Sequence, residues 1–263
     1  MNAQQIMDKL FSLSFDSDFS NTCDTLKAGD PKTEVTKIAV TMHATVEVVK
    51  KAADWGAQLL IVHEPVYYNH LDNHSNERIE CEKRKLIQDL NLTIFRYHDH
   101  PHSCTPDIIG AGQFKNLGLE GSIEPTNRFG LTKFHLAKPI SALELAKILE
   151  TRSGLKHVKL CGNLNHKFST ILGLFGTPGH LKEEFSKDGE QFILTGEISE
   201  WSLGEFVRDA AALGHKKALI VMGHEGSERE GMVYTTEILS QMFPKLEVKY
   251  IECGEVYTYT DNL

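Results

Sequence analysis

The stretch KIAVTMHATVEVVKKAADWGAQLLIV, residues 37–62, decides the fold. Its two apolar ends, 37–42 and 59–62, predict strands, and the residues between them have helical periodicity. Thr45 can cap a helix over 46–55, and Gly56 can end it. Two strands joined by a helix within this length form a βαβ crossover, so we expect them to be parallel neighbours.

The alternation of helix and strand continues along the chain. Residues 3–13 predict a short helix, and 14–33 predict irregular structure. Further helices are predicted over 76–89, 107–117, 141–151 and from 199, and further strands over 92–97, 131–136, 158–161, 170–175, 192–195 and 217–222. This order indicates an α/β fold with a mostly parallel or mixed sheet flanked by helices. The pattern of predicted helices and strands changes at Phe129. This change predicts a metal-binding α/β domain over 1–128 plus 191–263, with a second, smaller α/β lobe inserted over 129–190.

Composition narrows the classes of partner. The 263 residues carry a formal net charge of -8, which disfavours broad nucleic-acid binding because such binding needs a basic surface. Neither a secretory signal nor an apolar run long enough to cross a bilayer is evident, so we expect no membrane association. The five cysteines are scattered and odd in number, which is typical of reduced thiols in a cytoplasmic protein.

Four of the predicted strands lead into acidic or metal-binding side chains. Ligands gather beyond the carboxyl ends of parallel strands, so we expect these side chains to meet at one edge of one sheet. Imidazole and carboxylate are the usual ligands of Zn, Fe and Mn, and the number of groups suffices for two ions. The groups are His63 and Glu64, then His98, Asp99, His100 and His102, then Glu197, and finally His224, Glu225 and Glu228.

Local geometry leaves alternatives open within these groups. In an extended chain His98, His100 and His102 would point to one side of the strand. If the chain turns helical after Gly223, the side chains of residues 224 and 228 would share one face. His70 and His74 follow the His63 segment without a clean ligand spacing and remain alternatives. The other histidines are read as surface or hydrogen-bonded residues: His43, His135, His157, His166, His180 and His215.

Other chemistries fit this sequence less well. It contains no G-x-G-x-x-G after a strand, no Walker A sequence, no G-x-S-x-G and no H-E-x-x-H. A Ser-His-Asp site built on Ser227 is therefore disfavoured. An α/β binding module that holds no metal also remains open as an interpretation.

Four motifs occur in a recognisable order. Leu60-Ile61-Val62-His63-Glu64-Pro65 is similar to a strand ending in His-His-Pro, and Tyr97-His98 with His102 to His-x-x-x-Asp. Thr195-Gly196-Glu197 is similar to Thr-Gly-Asp, and Gly223-His224 with Glu228 to Gly-His-x-x-x-Glu. Together with the βα unit of residues 37–49, they resemble the dinuclear-metal proteins called NGG-interacting-factor-three-like, often labelled GTP cyclohydrolase type 2 homologues. The resemblance covers about the first 125 residues and about the last 70.

The resemblance implies a set of metal ligands, with two departures from the family pattern. Glu64 stands where the family has its second histidine, and His102 where it has aspartate. The implied ligands are His63, Glu64, His102, His224 and Glu228.

Three further residues have implied or open roles. His98 matches a family histidine beside the metals, where it acts as acid or base, and Glu197 would support the site. The exchange of ligand types could have moved a ligand onto Asp99 or His100, so both remain alternatives.

Two divalent metal ions per chain follow from the resemblance, with Zn, Fe, Mn and Ni not distinguished, as does a toroidal homohexamer. We therefore predict a metal-dependent hydrolase with a dinuclear centre, acting on an unidentified small substrate such as a nucleotide or phosphoester. A non-catalytic metal-binding scaffold or regulatory ring protein would use the same ligands and stays open as the alternative.

Overall fold

A computed structural model describes residues 1–15 and 19–260 of the chain, which divides into two compact units. The first unit combines 1–104 with 232–263, and the second is 105–231. The second unit is thus inserted into the first along the chain, but its boundaries differ from the expected 129–190. They differ because residues 121–124, 191–195 and 217–221 are strands of one sheet of the second unit.

The first unit is built on a mostly parallel sheet with the strand order β1-β4-β3-β2-β11. Its helices are α1 (Ala3–Phe11), α2 (Val46–Trp55), α3 (Arg78–Asp89) and α4 (Asp99–His102), and its strands are β1 (Leu26–Ala28), β2 (Lys37–Thr41), β3 (Leu59–Val62), β4 (Thr93–Arg96) and β11 (Glu247–Tyr250). Strand β1 is antiparallel to β4, and the other neighbours are parallel. The predicted βαβ crossover is confirmed: Thr45 accepts a hydrogen bond from the Val48 N–H, and Gly56 ends α2 in the left-handed conformation.

One part of the first unit is more ordered than the sequence predicts. The stretch 14–33 was expected to be irregular, yet it contains β1, whose residue Leu26 pairs with Phe95 of β4. Residues 16–18 of that stretch lie outside the described ranges. The pairing brings the segment before β1 next to the carboxyl end of β4, where candidate ligands lie.

The second unit is built on a mixed sheet with the order β5-β6-β8-β9-β10-β7. Its helices are α5 (Ile108–Leu117), α6 (Ala142–Ser153), α7 (Leu181–Ser186) and α8 (Glu205–Ala212), and its strands are β5 (Gly121–Glu124), β6 (Thr132–Ile140), β7 (Lys159–Gly162), β8 (Phe168–Leu174), β9 (Gln191–Thr195) and β10 (Lys217–Val221). Strands β8, β9 and β10 are parallel to one another. The capping box at Ser141 and Glu144 is present as predicted.

The helix expected from Ser199 begins differently. A π-helical turn, Glu200–Gly204, precedes α8, and among the described residues the Ser199 hydroxyl makes no capping hydrogen bond. Instead, the Ser199 carbonyl accepts the N–H groups of Ser202 and Leu203.

A long helix, α9 (His224–Met242), begins in the second unit and ends in the first. Each unit has its own apolar core, with Val49, Leu60 and Ile94 in the first and Ile193 and Leu219 in the second. Within the described ranges, none of the helices is both long and apolar enough to span a membrane. The predicted α/β class, with helices flanking mixed sheets, is confirmed.

Candidate metal centre

Three histidines of the first unit converge at the carboxyl ends of β3 and β4. The two strands are parallel neighbours, so His63 and His98, which follow them, lie side by side with ring centroids 4.7 Å apart. The His102 ring lies 5.3 Å from that of His63 and 5.5 Å from that of His98. One nitrogen from each ring lies within 4.8 Å of the other two, a spacing that can hold a metal ion. We call His63, His98 and His102 the imidazole cluster.

Hydrogen bonding fixes the tautomer of His63. Its side chain is fully buried, and its Nδ1 lies 3.0 Å from the Tyr97 carbonyl oxygen. A carbonyl can only accept, so Nδ1 carries a hydrogen, and the neutral ring in this tautomer has its lone pair on Nε2. This is the form in which a histidine binds a metal, with the second nitrogen held by a backbone carbonyl.

The segment after β4 is a helical turn and not an extended chain, so the condition under which His98, His100 and His102 would point to one side is not met. Residues Asp99–His102 form α4, which places His98 and His102 four residues apart on one face. The cause is Asp24, whose carboxylate accepts the backbone N–H groups of His98, Asp99 and His100 at 2.7–3.0 Å. Sequence reasoning missed Asp24 because it lies about 75 residues away along the chain.

His100 is turned away from the cluster and is not a replacement ligand. Its Nδ1 lies 2.7 Å from the Asp24 carboxylate, and its ring is stacked between Phe11 and Phe19, each with a centroid distance of 4.1 Å. Burial favours the neutral form of Asp24, but the hydrogen bonds from His100 outweigh it and lower the pKa of this carboxyl. The pair therefore anchors the turn that carries the two cluster histidines.

Asp99 lies beside His98 and orients it. One carboxylate oxygen lies 2.9 Å from His98 Nδ1, and the other accepts the Thr22 hydroxyl at 2.7 Å and the Cys23 N–H at 3.2 Å. Burial raises the pKa of Asp99, but the hydrogen bonds from His98 and Thr22 lower it more, so the group is ionised. The pKa of His98 is itself lowered, chiefly by burial, which keeps the ring neutral.

Cys23, His98 and Asp99 also lie close enough to form an alternative metal-binding group. Burial raises the pKa of the Cys23 thiol far above its ordinary value, so the thiol stays protonated. Because a cysteine binds metals as the thiolate, this group fits an ion less well than the imidazole cluster does.

Glu64 borders the imidazole cluster and is paired with a buried arginine. Its Oε1 lies 3.8 Å from His98 Nε2, and its Oε2 lies 3.7 Å from Nη2 of Arg96, which is fully buried. Arg96 also donates from Nε to the His63 carbonyl at 2.9 Å and lies 3.6 Å from Asp72. Sequence reasoning missed Arg96, although a charged residue inside the apolar run of β4 was a usable signal.

The remaining alternatives in the first unit lie at the surface. The exposed ring of His70 lies 5.9 Å from that of His98, and the His70 carbonyl accepts a hydrogen bond from Arg96. His74 is exposed and packs edge-on against Tyr67.

The other candidate ligands lie on the second sheet, so the expectation that all four strand ends share one sheet is wrong. Strands β9 and β10 are parallel neighbours there, and they lead into Glu197 and His224. The chain becomes helical at His224, which is the condition for residues 224 and 228 to share one face, and His224 Nε2 lies 3.2 Å from Oε2 of Glu228. We call His224 and Glu228 the helical pair.

Two neighbours support the helical pair. Glu197 Oε1 lies 3.2 Å from His224 Nδ1, and the Thr177 hydroxyl donates to the other oxygen of Glu197 at 3.1 Å. Gly176, with φ of +63°, leaves room for the buried carboxylate, because a Cβ there would lie 2.6 Å from Glu228 Oε1. Glu197 is therefore in contact with His224, and its support of a metal site stays a prediction.

Comparison with known proteins gives a consistent result along the whole chain. The family model described as Duf34/NIF3 (NGG1p interacting factor 3) matches residues 1–255. A Clostridium perfringens protein named "GTP cyclohydrolase 1 type 2 homolog" is 23% identical over 241 residues, covering 88% of this chain and 87% of that protein.

Two solved structures share the fold at low sequence identity. The Staphylococcus aureus protein SA1388 superposes with a TM-score of 0.78 at 14% identity, covering 98% of this chain and 99% of that one. A Bacillus cereus protein related to NIF3 gives a TM-score of 0.76 at 13% identity, covering 99% of each chain.

Proposed function

This chain belongs to the Duf34/NIF3 family, and from that premise we propose that it is a divalent-metal-dependent hydrolase acting on a small substrate. The observation that carries the proposal is the convergence of two candidate ligands, His63 and His102, with a third histidine, His98, whose Nδ1 is engaged by Asp99. Nucleotides and phosphoesters are the substrate classes to test, since several relatives carry a name that refers to a nucleotide-converting enzyme.

The proposed ligands serve two divalent ions per chain. They are His63, Glu64 and His102 in the first unit and His224 and Glu228 in the second. Neutral imidazole nitrogens and carboxylate oxygens fit Zn, Fe, Mn and Ni. The fixed tautomer of His63 supports this fit, because its Nε2 is in the form that binds a metal.

The proposed chemistry divides between the ions and His98. Divalent ions held by these ligands would lower the pKa of a bound water toward neutral pH and would polarise a substrate oxygen. His98 moves the proton at Nε2, because its ring is neutral and its Nδ1 is engaged by Asp99. Glu64 lies 3.8 Å from that nitrogen and places a carboxylate beside it.

We further propose that the protein is a cytoplasmic homohexamer. The scattered cysteines favour a reducing compartment, and the hexamer follows from the family resemblance. Light scattering on the purified protein should give six times the 29.5 kDa chain mass. A stable monomer would contradict the hexamer.

Metal analysis combined with a substrate screen tests the function. Protein purified without chelator should contain two ions per chain and hydrolyse at least one member of a nucleotide and phosphoester panel. His224→Ala should lower the metal content sharply with the fold retained, because His224 lies at a strand end and not in the core. His98→Ala should abolish turnover while metal is retained.

His135→Ala is the matched control, because His135 lies on β6, is half-exposed and pairs with Glu124 of β5. It should change neither metal content nor turnover. Metal content unchanged in His224→Ala would contradict the ligand assignment. Tight metal binding without turnover on the whole panel would overturn the hydrolase in favour of a metal-binding scaffold.

A further inference from the structure

The His98 ring is hydrogen-bonded to the carboxylate of Asp99, which can accept hydrogen bonds but cannot donate them. Asp99 Oδ1 lies 2.9 Å from His98 Nδ1, while Oδ2 faces the Thr22 hydroxyl at 2.7 Å and the Cys23 N–H at 3.2 Å. An ionised carboxylate only accepts hydrogen bonds, so the hydrogen in the His98 contact is on Nδ1. Nε2, which lies on the side of Glu64, then keeps its lone pair.

The backbone under this contact is fixed independently by Asp24. Its Oδ1 accepts the N–H groups of His98 at 2.7 Å and Asp99 at 3.0 Å, and its Oδ2 accepts the N–H of His100 at 2.9 Å. Thr22, Cys23 and Asp24 are consecutive, so one short segment holds both the turn and the Asp99 carboxylate. We call residues 22–24 the clamp segment.

We propose that Asp99 is a positioning residue, which keeps the hydrogen of His98 on Nδ1 so that Nε2 can accept a proton. The inference rests on the proposed role of His98 in proton transfer and names the group that makes that role possible. The clamp segment contributes to this positioning, because its contacts with Oδ2 determine that Oδ1 of Asp99 faces the His98 ring. The nitrogen that carries the hydrogen in a histidine is set by the partner of the other nitrogen.

An asparagine at position 99 should reverse the tautomer for a definable reason. The Cys23 N–H can only donate, so the amide oxygen of Asn must take the place of Oδ2. The amide NH₂ then takes the place of Oδ1 and donates to His98 Nδ1. That nitrogen must be unprotonated to accept, so the hydrogen moves to Nε2 and the lone pair there is lost.

The test is the tautomer of His98 in metal-free protein, read from the side-chain ¹⁵N signals of histidine by NMR. The wild type should show the protonated-type nitrogen at Nδ1, and Asp99→Asn should show it at Nε2. Asp99→Glu, which retains an acceptor, should keep the wild-type tautomer. Glu124→Gln, at the surface pair with His135, should leave the His98 signals unchanged.

The outcomes separate this inference from the proposed function. The same tautomer in wild type and Asp99→Asn, with unchanged His100 signals as evidence of an intact turn, would overturn it. So would a wild-type signal already at Nε2. If a substrate is found, Asp99→Asn should lower kcat by about 10²–10⁴-fold, the usual contribution of acid–base catalysis. If Asp99→Asn reverses the tautomer but the wild type turns over none of the substrates, the positioning role of Asp99 stands. That result would contradict only the proposed hydrolase function.

Discussion

The imidazole cluster consists of histidines alone, whereas the helical pair joins a histidine to a glutamate, and the two groups are held in different ways. In the first, His63 is fully buried and His98 is fixed through Asp99 by the clamp segment. In the second, Glu228 is buried, but the His224 side chain is 26% exposed and its supporting Glu197 side chain is 53% exposed. The geometry of the helical pair follows from the spacing of four residues within one helix.

This difference has consequences for binding and for stability. Ligands that are already in place lose less conformational freedom when a metal binds, so the imidazole cluster should be the stronger contributor. Its support, however, relies on buried charges that must stay paired, above all Arg96 with Glu64 and Asp72. Substitutions at residues distant in the sequence should therefore disturb the imidazole cluster. The helical pair should be affected mainly by substitutions close to it in the sequence.

The largest effect is expected at Arg96. Arg96→Met removes the cation beside Glu64 and leaves Asp72 with Lys27 alone, at 3.3 Å, which should lower the free energy of unfolding by about 3 kcal/mol. Denaturant unfolding measures this change. Lys85→Met is the matched control, since Lys85 pairs with Asp89 on the exposed face of α3 and should have little effect. A loss at Arg96 as small as the control would show that the cluster does not depend on buried pairing.

A smaller and pH-dependent effect is expected at Asp24. Asp24→Asn weakens the hydrogen bonds to three backbone N–H groups and to His100, and should cost about 3 kcal/mol at neutral pH. The pKa of Asp24 is lowered in the folded protein, so its contribution to stability is present above the ordinary pKa of 3.8. It is lost as the pH falls through the lower folded-state pKa.

Unfolding curves of wild type and Asp24→Asn over a pH series measure that dependence. The difference between the two proteins should be constant near neutral pH and should shrink as the pH falls below 3.8. A difference independent of pH would mean that the ionised carboxylate is not what holds the turn.

The smallest effect is expected at Glu197, the support of the helical pair. Removing a hydrogen-bonding partner of a ligand histidine weakens metal binding by about 10–100-fold, and the exposure of Glu197 places Glu197→Gln near tenfold. Competition with a chelator measures the affinity, and Glu190→Gln at the surface pair with His166 is the control. A metal affinity in Glu197→Gln as high as in the Glu190→Gln control would contradict the supporting role of Glu197.

The sequence predicted which candidate ligands are adjacent better than it predicted the residues that hold them in place. His63 and His98 could be placed together because they follow strands joined by crossovers, and His224 and Glu228 because four residues make about one helical turn. The turn at α4 could not be predicted, since Asp24 acts on it from about 75 residues away. A strand-end pattern also carries no information about which sheet a strand joins, so the placement of Glu197 and His224 on a second sheet was missed.

An anomalous-scattering map from crystals of protein purified without chelator tests the central claim most directly. We expect two ions per chain, with anomalous peaks beside His63, Glu64 and His102 and beside the helical pair. Peaks confined to other places, such as Cys23 and Asp99, or a map without any peak at these ligands would contradict it.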